Sequence, residues 1–436
     1  MPSQQSSGPA VSGGPSRPGT PSLLRELNDR AALELLLDGR SLTRSQLSEL
    51  TGVSKVTVAQ MLGRLEERGL VAAVGEQSVG RGPNAALYSV VASSAHVAAL
   101  YVEHGLVSTA VADVTGRVIA EARDDTNGER DPVELVRSAV DRACRSAGVS
   151  ISMLSAFVIG SPGVVDPVSG DPQFSFNLPA WHAGVLAGLR GALHKRVLIE
   201  NDVNLAAVAE HAIGAAAGAD DFVLMWIGTG VGLATMLGGR LHRGVSGAAG
   251  EIGWLPVPGA PVTSDVKYPA GGGLQWLVGS DAIGALAAEF GLAGPSAGGG
   301  GTPGSGGLSP ADSVRAAVAA NSANAAAVAG AVAAAERPDG TDGRAGQFLD
   351  ELARRVALGA VAVCTVIDPG LVVLGGEIGL AGGPALAGRV AAEVARICPV
   401  HPRVAPTAVS SEPVLRGALL TAVQLARADL LASVAG

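Results

Sequence analysis

Residues 43–65, TRSQLSELTGVSKVTVAQMLGRL, decide how the first part of this chain folds. Leu47 and Leu50 are predicted to share one helical face, Thr51-Gly52-Val53 interrupts the pattern, and Ser54 can cap a second helix. The apolar residues of that second helix follow the three- and four-residue spacing of a core-facing stripe, at Val58, Met61, Leu62 and Leu65. This pattern predicts either an ordinary helical hairpin or a helix-turn-helix that places its second helix in the DNA major groove.

The residues that follow favour the DNA-binding alternative. Leu70–Ala73 and Ala86–Val91 are predicted as short strands on either side of the loop Gly75–Asn84, which carries Arg81 at its tip. Two helices followed by a hairpin with an arginine at its tip are the order of a winged helix. Residues 22–91 are therefore predicted to be a small α+β winged helix-turn-helix domain that binds double-stranded DNA.

Candidate DNA contacts are the cations and the polar, non-core residues of this domain. On the second helix, Ser54 is the predicted cap and a phosphate contact, and the candidates for the major groove are Lys55, Thr57, Gln60 and Arg64. Arg44 is placed to meet a phosphate, and Arg81 suits a phosphate or the minor groove, although a solvated loop arginine is the alternative. Residues 22–91 carry eight basic and eight acidic side chains, so DNA binding would depend on a few suitably placed cations rather than on a basic domain.

Composition excludes several classes of protein. The net charge is −8, and the three cysteines lie far apart with no CxxC pair, which predicts reduced thiols in the cytoplasm rather than a disulfide framework. We expect no signal peptide and no membrane span. Residues 1–21 are rich in Ser, Gly and Pro and are predicted to be a disordered tail.

Beyond Ala92 the pattern becomes that of an α/β protein. Runs typical of strands alternate with helical patterns, and two groups of three strands, beginning near His96 and Phe222, indicate two similar lobes. Gly291–Ser309 is predicted to be a flexible insertion without packing capacity. We therefore assign residues 92–436 to a single effector and dimerisation domain.

Four stretches of this body resemble the ROK family of bacterial sugar kinases and sugar-responsive repressors. They are IGSPGVVDPVSGDPQFSFNLPAW (159–181), VLIENDVNLAAVAEHAIGA (197–215), WIGTGVGLATMLGGRLHRGVSGAAGEIGW (226–254) and IDPGLVVLGGEI (367–378). The resemblance covers roughly residues 95–436 and implies an actin-like, ribonuclease H-like ATPase fold of two lobes. The head in front resembles the repressor branch of that family.

The resemblance also implies a sugar site. Asn201-Asp202 matches the family's Asn-Asp pair, whose Asp acts as general base in the kinases, although an Asn-Asp cap on the following helix is the alternative. Glu251 matches a glutamate that contacts the sugar, and Asn177 is expected nearby. Gln275 stands where the family usually has a second sugar-binding glutamate. Trp254 replaces a histidine, and it either stacks on a pyranose ring or fills the space left by a metal.

Two family features are absent from the sequence. The zinc site loses its histidine at Trp254 and all its cysteines within Tyr268–Gln275, so we expect no zinc of the family type. The first phosphate motif, DxGxT, is replaced at Tyr101–Gly105 by YVEHG, so we expect no use of ATP. The second phosphate loop, Gly228–Gly232, and Gly375-Gly376 are retained, but tight turns explain those glycines equally well.

These observations predict a cytoplasmic, sugar-responsive transcriptional repressor rather than an enzyme. A homodimer or homotetramer would bind a pseudo-palindromic operator, and a sugar or sugar derivative held between the lobes would change operator affinity. The alternatives are a sugar kinase that acquired a DNA-binding head and a ligand-independent DNA-binding dimer.

Overall fold

The computed structural model of the chain forms two compact units, which we call the head and the body. The head contains the chain through Ser94 together with Arg427–Gly436, and the body contains Ala95–Ala426. The structure describes residues 21–78, 84–103, 106–125, 131–174, 184–193, 196–265, 271–292, 310–336 and 343–434. Residues 1–20 of the predicted tail and 293–309 of the predicted insertion lie outside these ranges.

The head combines helices with a small antiparallel sheet in the order β1-β3-β2. Its elements are α1 (Pro21–Leu37), β1 (Leu42–Thr43), α2 (Arg44–Thr51), α3 (Lys55–Glu67), β2 (Val71–Gln77) and β3 (Ala85–Val90). The predicted helix-turn-helix and wing strands are confirmed. The sequence reasoning missed α1 and β1, because one is close to the low-complexity tail and the other has only two residues.

Local hydrogen bonds explain why α2 and α3 separate where they do. Thr43 and Gln46 form a reciprocal capping box at the start of α2, and Gly52 ends that helix with φ of 74°. Ser54 caps α3 as predicted, its hydroxyl accepting from the Thr57 main-chain N–H at 3.2 Å. Leu47 is buried, whereas Leu50, three residues later on α2, is 52% exposed.

The first lobe of the body is built on a five-stranded sheet in the order β10-β7-β4-β5-β6. Its elements are β4 (His96–Glu103), β5 (Leu106–Asp113), β6 (Val118–Asp125), α4 (Pro132–Ser146), β7 (Leu154–Ser161), β8 (Val164–Val165), β9 (Pro172–Phe174), α5 (Val185–Leu193), β10 (Arg196–Asn201) and α6 (Asp202–Ile213). The first three strands are antiparallel, and β4, β7 and β10 are parallel. Apolar residues of α4 and α5 pack with these strands into one core.

The second lobe repeats this plan in the order β13-β12-β11-β14-β15. Its elements are β11 (Phe222–Ile227), β12 (Val231–Leu237), β13 (Arg240–Leu241), α7 (Gly273–Val278), α8 (Ser280–Glu289), α9 (Pro310–Ala335), α10 (Gly343–Ile367), β14 (Leu371–Gly375), α11 (Gly376–Ile397), β15 (Arg403–Pro406) and α12 (Pro413–Val434). Three antiparallel strands are again followed by two parallel ones. The prediction of two similar lobes is confirmed.

Helices α9 and α12 each contain a window long and apolar enough to cross a membrane. The first window is Val318–Ala335, of which 22% is buried inside the protein, and the second is Pro413–Val434, of which 39% is buried. Core helices of globular proteins pass the same test, so these windows are weak evidence for a membrane span.

Candidate functional site

The body contains a cavity of about 270 Å³ that several of its segments share. The end of β4, the junction of β10 with α6, the turn between β11 and β12, the loop that ends at Trp254 and the first turn of α11 all contribute to its lining. The volume lies just below the range of about 300–1,000 Å³ that is typical of small-molecule sites. The structure brings Asn201, Asp202, Glu251, Trp254 and Gln275 together around this one space.

Asn201 is the cap of α6. Its Oδ1 accepts from the Asn204 main-chain N–H at 3.0 Å, and its Nδ2 donates to the Gly163 carbonyl oxygen at 3.0 Å. The side chain therefore fixes the start of α6 and ties it to the segment after β7, as the capping alternative requires. It leaves the next residue, Asp202, on the cavity wall.

Asp202 is an unusually weak acid. Burial raises the pKa of Asp202 to about 7; a hydrogen bond from the Val203 main-chain N–H opposes the change, and the nearby carboxylates of Glu251 and Glu103 add to it. Near neutral pH the carboxyl is thus divided between its protonated and ionised forms. In the protonated form it can donate as well as accept hydrogen bonds, which suits a ligand with hydroxyl groups.

Glu251 reaches the cavity from a loop that only glycine allows. Gly250 has φ of 102°, and a Cβ at this position would overlap the carbonyl oxygen of Leu233. The carbonyl of Gly250 in turn accepts from the Leu233 N–H at 2.8 Å, which anchors the loop to β12. Burial raises the pKa of Glu251 as well.

Gln275 holds the neighbouring turn in place. Its Oε1 accepts from the Val231 main-chain N–H at 2.9 Å, and its Nε2 lies 3.5 Å from the Thr229 carbonyl oxygen. The amide of Gln275 thus holds the backbone of the second phosphate loop at Thr229 and Val231, and Gln275 also lines the cavity. This role differs from that of the sugar-binding glutamate that the resemblance implies at this position.

The residues of the site do not fit the zinc centre of the family. Trp254 lines the cavity where that family has a histidine, and an indole supplies no metal ligand. Within the described ranges no group of three or more His, Cys, Asp or Glu side chains could hold a metal ion.

The retained phosphate loop is crowded by two side chains. A Cβ on Gly228 would lie against Glu377 Oε2 and 3.0 Å from Trp226 Nε1, so a carboxylate and an indole stand beside the loop backbone. Both residues also line a smaller cavity of about 140 Å³. A carboxylate at this place opposes the direct approach of a phosphate group to the loop backbone.

The first phosphate motif shows a similar change. The Tyr101 and Glu103 side chains interact electrostatically, and burial raises the pKa of both groups. Tyr101 and Glu103 both line the larger cavity. The remaining two residues of the predicted motif, His104 and Gly105, lie outside the described residues.

In the head, the exposed surface of α3 differs from the predicted set. Lys55 and Gln60 are exposed, and Val56, which the sequence reasoning missed, is 69% exposed between them. Thr57 is half-buried, with its hydroxyl 2.9 Å from that of Ser54. The signal that could have identified Val56 is an apolar residue at a helical position outside the core-facing stripe, where its side chain is expected to be exposed.

Two of the predicted DNA-contacting arginines are engaged inside the head. The guanidinium of Arg64 binds the carboxylate of Asp29, with 2.7 Å between Nε and Oδ2. The Arg44 Nη2 donates to the Tyr88 hydroxyl at 2.6 Å, and its guanidinium lies over the Tyr88 ring at 5.4 Å. Arg81 of the wing tip and Asn177 of the predicted sugar site lie outside the described residues.

Three further residues of the site were not recognised from the sequence. Glu103 belongs to the lost phosphate motif, and Trp226 and Glu377 lie in two of the stretches that resemble the ROK family, where the sequence predicts no chemical role for them. Alternation along β4 and β11 could have placed Tyr101, Glu103 and Trp226 on faces of the sheet. No local signal could have brought the first turn of α11 to the same cavity.

Comparison with known proteins identifies both units. The ROK family model matches residues 103–424, and a winged helix-turn-helix DNA-binding model matches residues 25–72. Similar curated proteins include a xylose repressor from Caldicellulosiruptor bescii, 23% identical over 54% of this chain and 60% of that protein. The Escherichia coli DNA-binding transcriptional dual regulator NagC is 26% identical over 56% of this chain and 61% of its own length.

These alignments span about 60% of the length of each relative. Among solved structures, a ROK family transcriptional regulator described as a homolog of the E. coli MLC protein covers 95% of this chain and 99% of its own, with a TM-score of 0.67 at 18% identity. A ROK hexokinase from Thermus thermophilus covers 75% of this chain and 97% of its own, with a TM-score of 0.55 at 26% identity. The chain belongs to the ROK family and carries a winged helix-turn-helix domain at its head.

Proposed function

We propose that this chain is a cytoplasmic transcriptional repressor whose affinity for its operator is set by a sugar bound in the cavity of the body. One observation carries the proposal: a winged helix-turn-helix and a ROK body are joined on one chain. The crowding of the phosphate loop of that body by Trp226 and Glu377 supports it. The names of the curated relatives, a xylose repressor and NagC, support the same class of function.

The proposed DNA-reading surface is the exposed side of α3. It consists of Lys55, Val56 and Gln60, with Ser54 at the helix start as a phosphate contact. Arg64 is left out, because its guanidinium is bound to Asp29 within the head. A homodimer or homotetramer would place two such surfaces on the half-sites of a pseudo-palindromic operator.

The proposed sugar contacts are the carboxyl groups of Asp202 and Glu251, with Trp254 as a stacking surface. Asn201 and Gln275 would shape the site, since their side chains hold the backbone around it. Binding a sugar can change operator affinity only if the sugar prefers one conformation of the protein.

The competing function is that of a sugar kinase with an added head, in which Asp202 would be the general base. The position of this carboxyl group favours neither function, because a repressor and a kinase would both need a carboxyl group that hydrogen-bonds to a sugar hydroxyl. The difference lies at the phosphate loop, where Glu377 and Trp226 occupy the space beside Gly228.

The test is to select operator DNA from fragments of the source genome with the full chain and then to titrate the complex with a panel of unmodified and modified hexoses and pentoses. We expect a discrete operator, and release from it by at least one sugar. Asp202→Asn should bind the operator normally but lose the response to sugar. Arg396→Ala, which changes an exposed arginine of the body, is the control and should behave as the parent.

A coupled assay for ADP release with the same sugars tests the alternative. Turnover that disappears in Asp202→Asn would establish a kinase and overturn the proposal. Operator binding that no sugar changes, together with no heat of sugar binding, would leave a ligand-independent DNA-binding protein.

A further inference from the structure

The cavity of the body concentrates negative charge. Four carboxyl groups line it, those of Glu103, Asp202, Glu251 and Glu377, and its lining contains no Lys, Arg or His among the residues that the structure describes. The four groups come from different segments of the chain, so the fold brings the charges together at one place. A ligand in this space therefore meets only acidic ionisable groups.

Two arginines near the lining are ion-paired with carboxylates outside it. Arg123, which acts on Glu103, is ion-paired with Glu412, and neither residue lines the cavity. Arg243 is bound to Glu200 with 2.7 Å between its Nε and Oε2, and it too lies outside the lining. Among the described residues, the wall therefore supplies no cation that neutralises the carboxylates of the cavity.

An independent observation points to a ligand in the same space. The chain contains only four tryptophans and three tyrosines, and Tyr101, Trp226 and Trp254 all line this cavity. Aromatic faces attract cations through their quadrupole, and together with carboxylates they form the usual environment of a bound ammonium group. The same faces also stack on the apolar side of a sugar ring.

A metal ion is a poorer occupant than an organic cation. Divalent metals need several ligand atoms at about 2.0–2.6 Å from one point, and no such group of side chains occurs within the described ranges. Carboxyl groups spread over the wall instead fit a ligand whose charge and hydroxyl groups are also spread out.

We propose that the cavity selects its ligand by charge: it binds a sugar that carries a protonated amine more tightly than the same sugar with a hydroxyl, and it rejects the phosphorylated sugar. This inference rests on the proposed function, because it assumes that the cavity is the sugar site. The amine contributes a charge that Glu103, Glu251 and Glu377 attract, whereas a phosphate is repelled by the same groups.

The experiment is calorimetry on the full chain with matched pairs of sugars: glucosamine and glucose, galactosamine and galactose, mannosamine and mannose. Glucose 6-phosphate is the anionic probe. For at least one pair we expect the amine to bind about tenfold more tightly, and we expect this ratio to fall as salt is raised, since the attraction is electrostatic. The 6-phosphate should give no heat of binding.

Glu377→Gln keeps the shape of the side chain and removes its charge, so it should reduce the ratio between amine and hydroxyl ligand several-fold. Glu289→Gln, an exposed glutamate of α8 outside the cavity, is the matched control and should leave the ratio unchanged. The thermal midpoint of each variant shows that it is folded.

The outcomes separate this inference from the proposed function. If neutral sugars bind as tightly as their amines, or if the 6-phosphate binds, selection by charge is overturned while a sugar-responsive repressor stands. If none of the probes binds and none changes operator affinity, both the inference and the sugar response fail.

Discussion

Arg64 of α3 and Asp29 of α1 are joined by two hydrogen bonds, one of them 2.7 Å between Nε and Oδ2, and Asp29 is only 7% exposed. The pair links the proposed DNA-reading helix to the first helix of the head. Arg64, which the sequence predicts to contact DNA, thus fixes the position of α3 within the head.

Arg64→Ala should lower the stability of the head by about 1–3 kcal/mol, because it leaves a largely buried carboxylate without its partner. Chemical denaturation followed by circular dichroism measures the change. In the double variant with Asp29→Asn, much of this loss should be recovered. A variant that keeps full stability but loses operator affinity would return Arg64 to the DNA-contacting surface.

Lys55→Ala should weaken operator binding without a change in stability. An exposed lysine that neutralises one phosphate adds close to one unit to the slope of log affinity against log salt, so the slope should fall by about one. Filter binding at several salt concentrations gives both quantities. An unchanged slope would mean that Lys55 does not meet a phosphate.

Val56 should read a thymine methyl group, because it is 69% exposed on α3 next to the residues proposed to enter the major groove. Replacing one operator thymine by uracil should weaken binding by the parent chain. For Val56→Ala the same replacement should have no further effect. Val74→Ala, at a valine of β2 that is 58% exposed, serves as the control. If no single thymine shows this coupling, the assignment of Val56 is wrong.

Asp202→Asn should stabilise the body at alkaline pH. Because the pKa of Asp202 is raised to about 7, the folded chain binds this proton more tightly than the unfolded chain does. Stability contributed by the proton is therefore present at low pH and is lost as pH rises from about 4 to 7. The variant should match the parent near pH 4 and exceed it above pH 7, by at most about 4 kcal/mol. Denaturation curves across this pH range give the stability of both proteins. A difference in stability between them that does not change with pH would contradict the raised pKa of Asp202.

Gly250→Ala should destabilise the body and impair ligand binding together. The added methyl group would overlap the Leu233 carbonyl oxygen in a backbone conformation that already disfavours alanine. Gly259→Ala is a matched control, since Gly259 has φ of 88° but no atom within 4 Å of the added Cβ. Thermal midpoints should fall much further for Gly250→Ala. Equal losses would show that backbone strain alone matters and that the close contact does not.

The parts of this protein that could be predicted are those encoded locally. The helix-turn-helix is specified by the spacing of Val58, Met61 and Leu62 and by the cap at Ser54, all within a dozen residues. The two lobes could be predicted because each begins with three consecutive antiparallel strands. Helices α5 and α7 were not predicted because they have only nine and six residues, α11 because of its many glycines and Pro384, and α12 because its apolar periodicity is weak.

The chemistry of the site depends on contacts that sequence patterns do not show. The family resemblance could place Asp202 and Glu251 in one site. Glu377 joins them in the cavity lining only because β14 pairs with β11, which brings the turn after β14 to the same place. Likewise, Arg64 and Asp29 are separated by 35 residues, so the spacing on α3 gave no sign that the arginine was already engaged.

The head is not a continuous piece of the chain. Arg427–Gly436 belong to its unit, and Arg68 donates a hydrogen bond of 2.8 Å to the carbonyl oxygen of Ser433 in the last helix. Anyone who exchanges DNA-binding heads between members of this family by cutting near residue 94 will therefore leave part of the original head behind. A working chimera needs two junctions, one at each end of the body, because both ends of the chain contribute residues to the head.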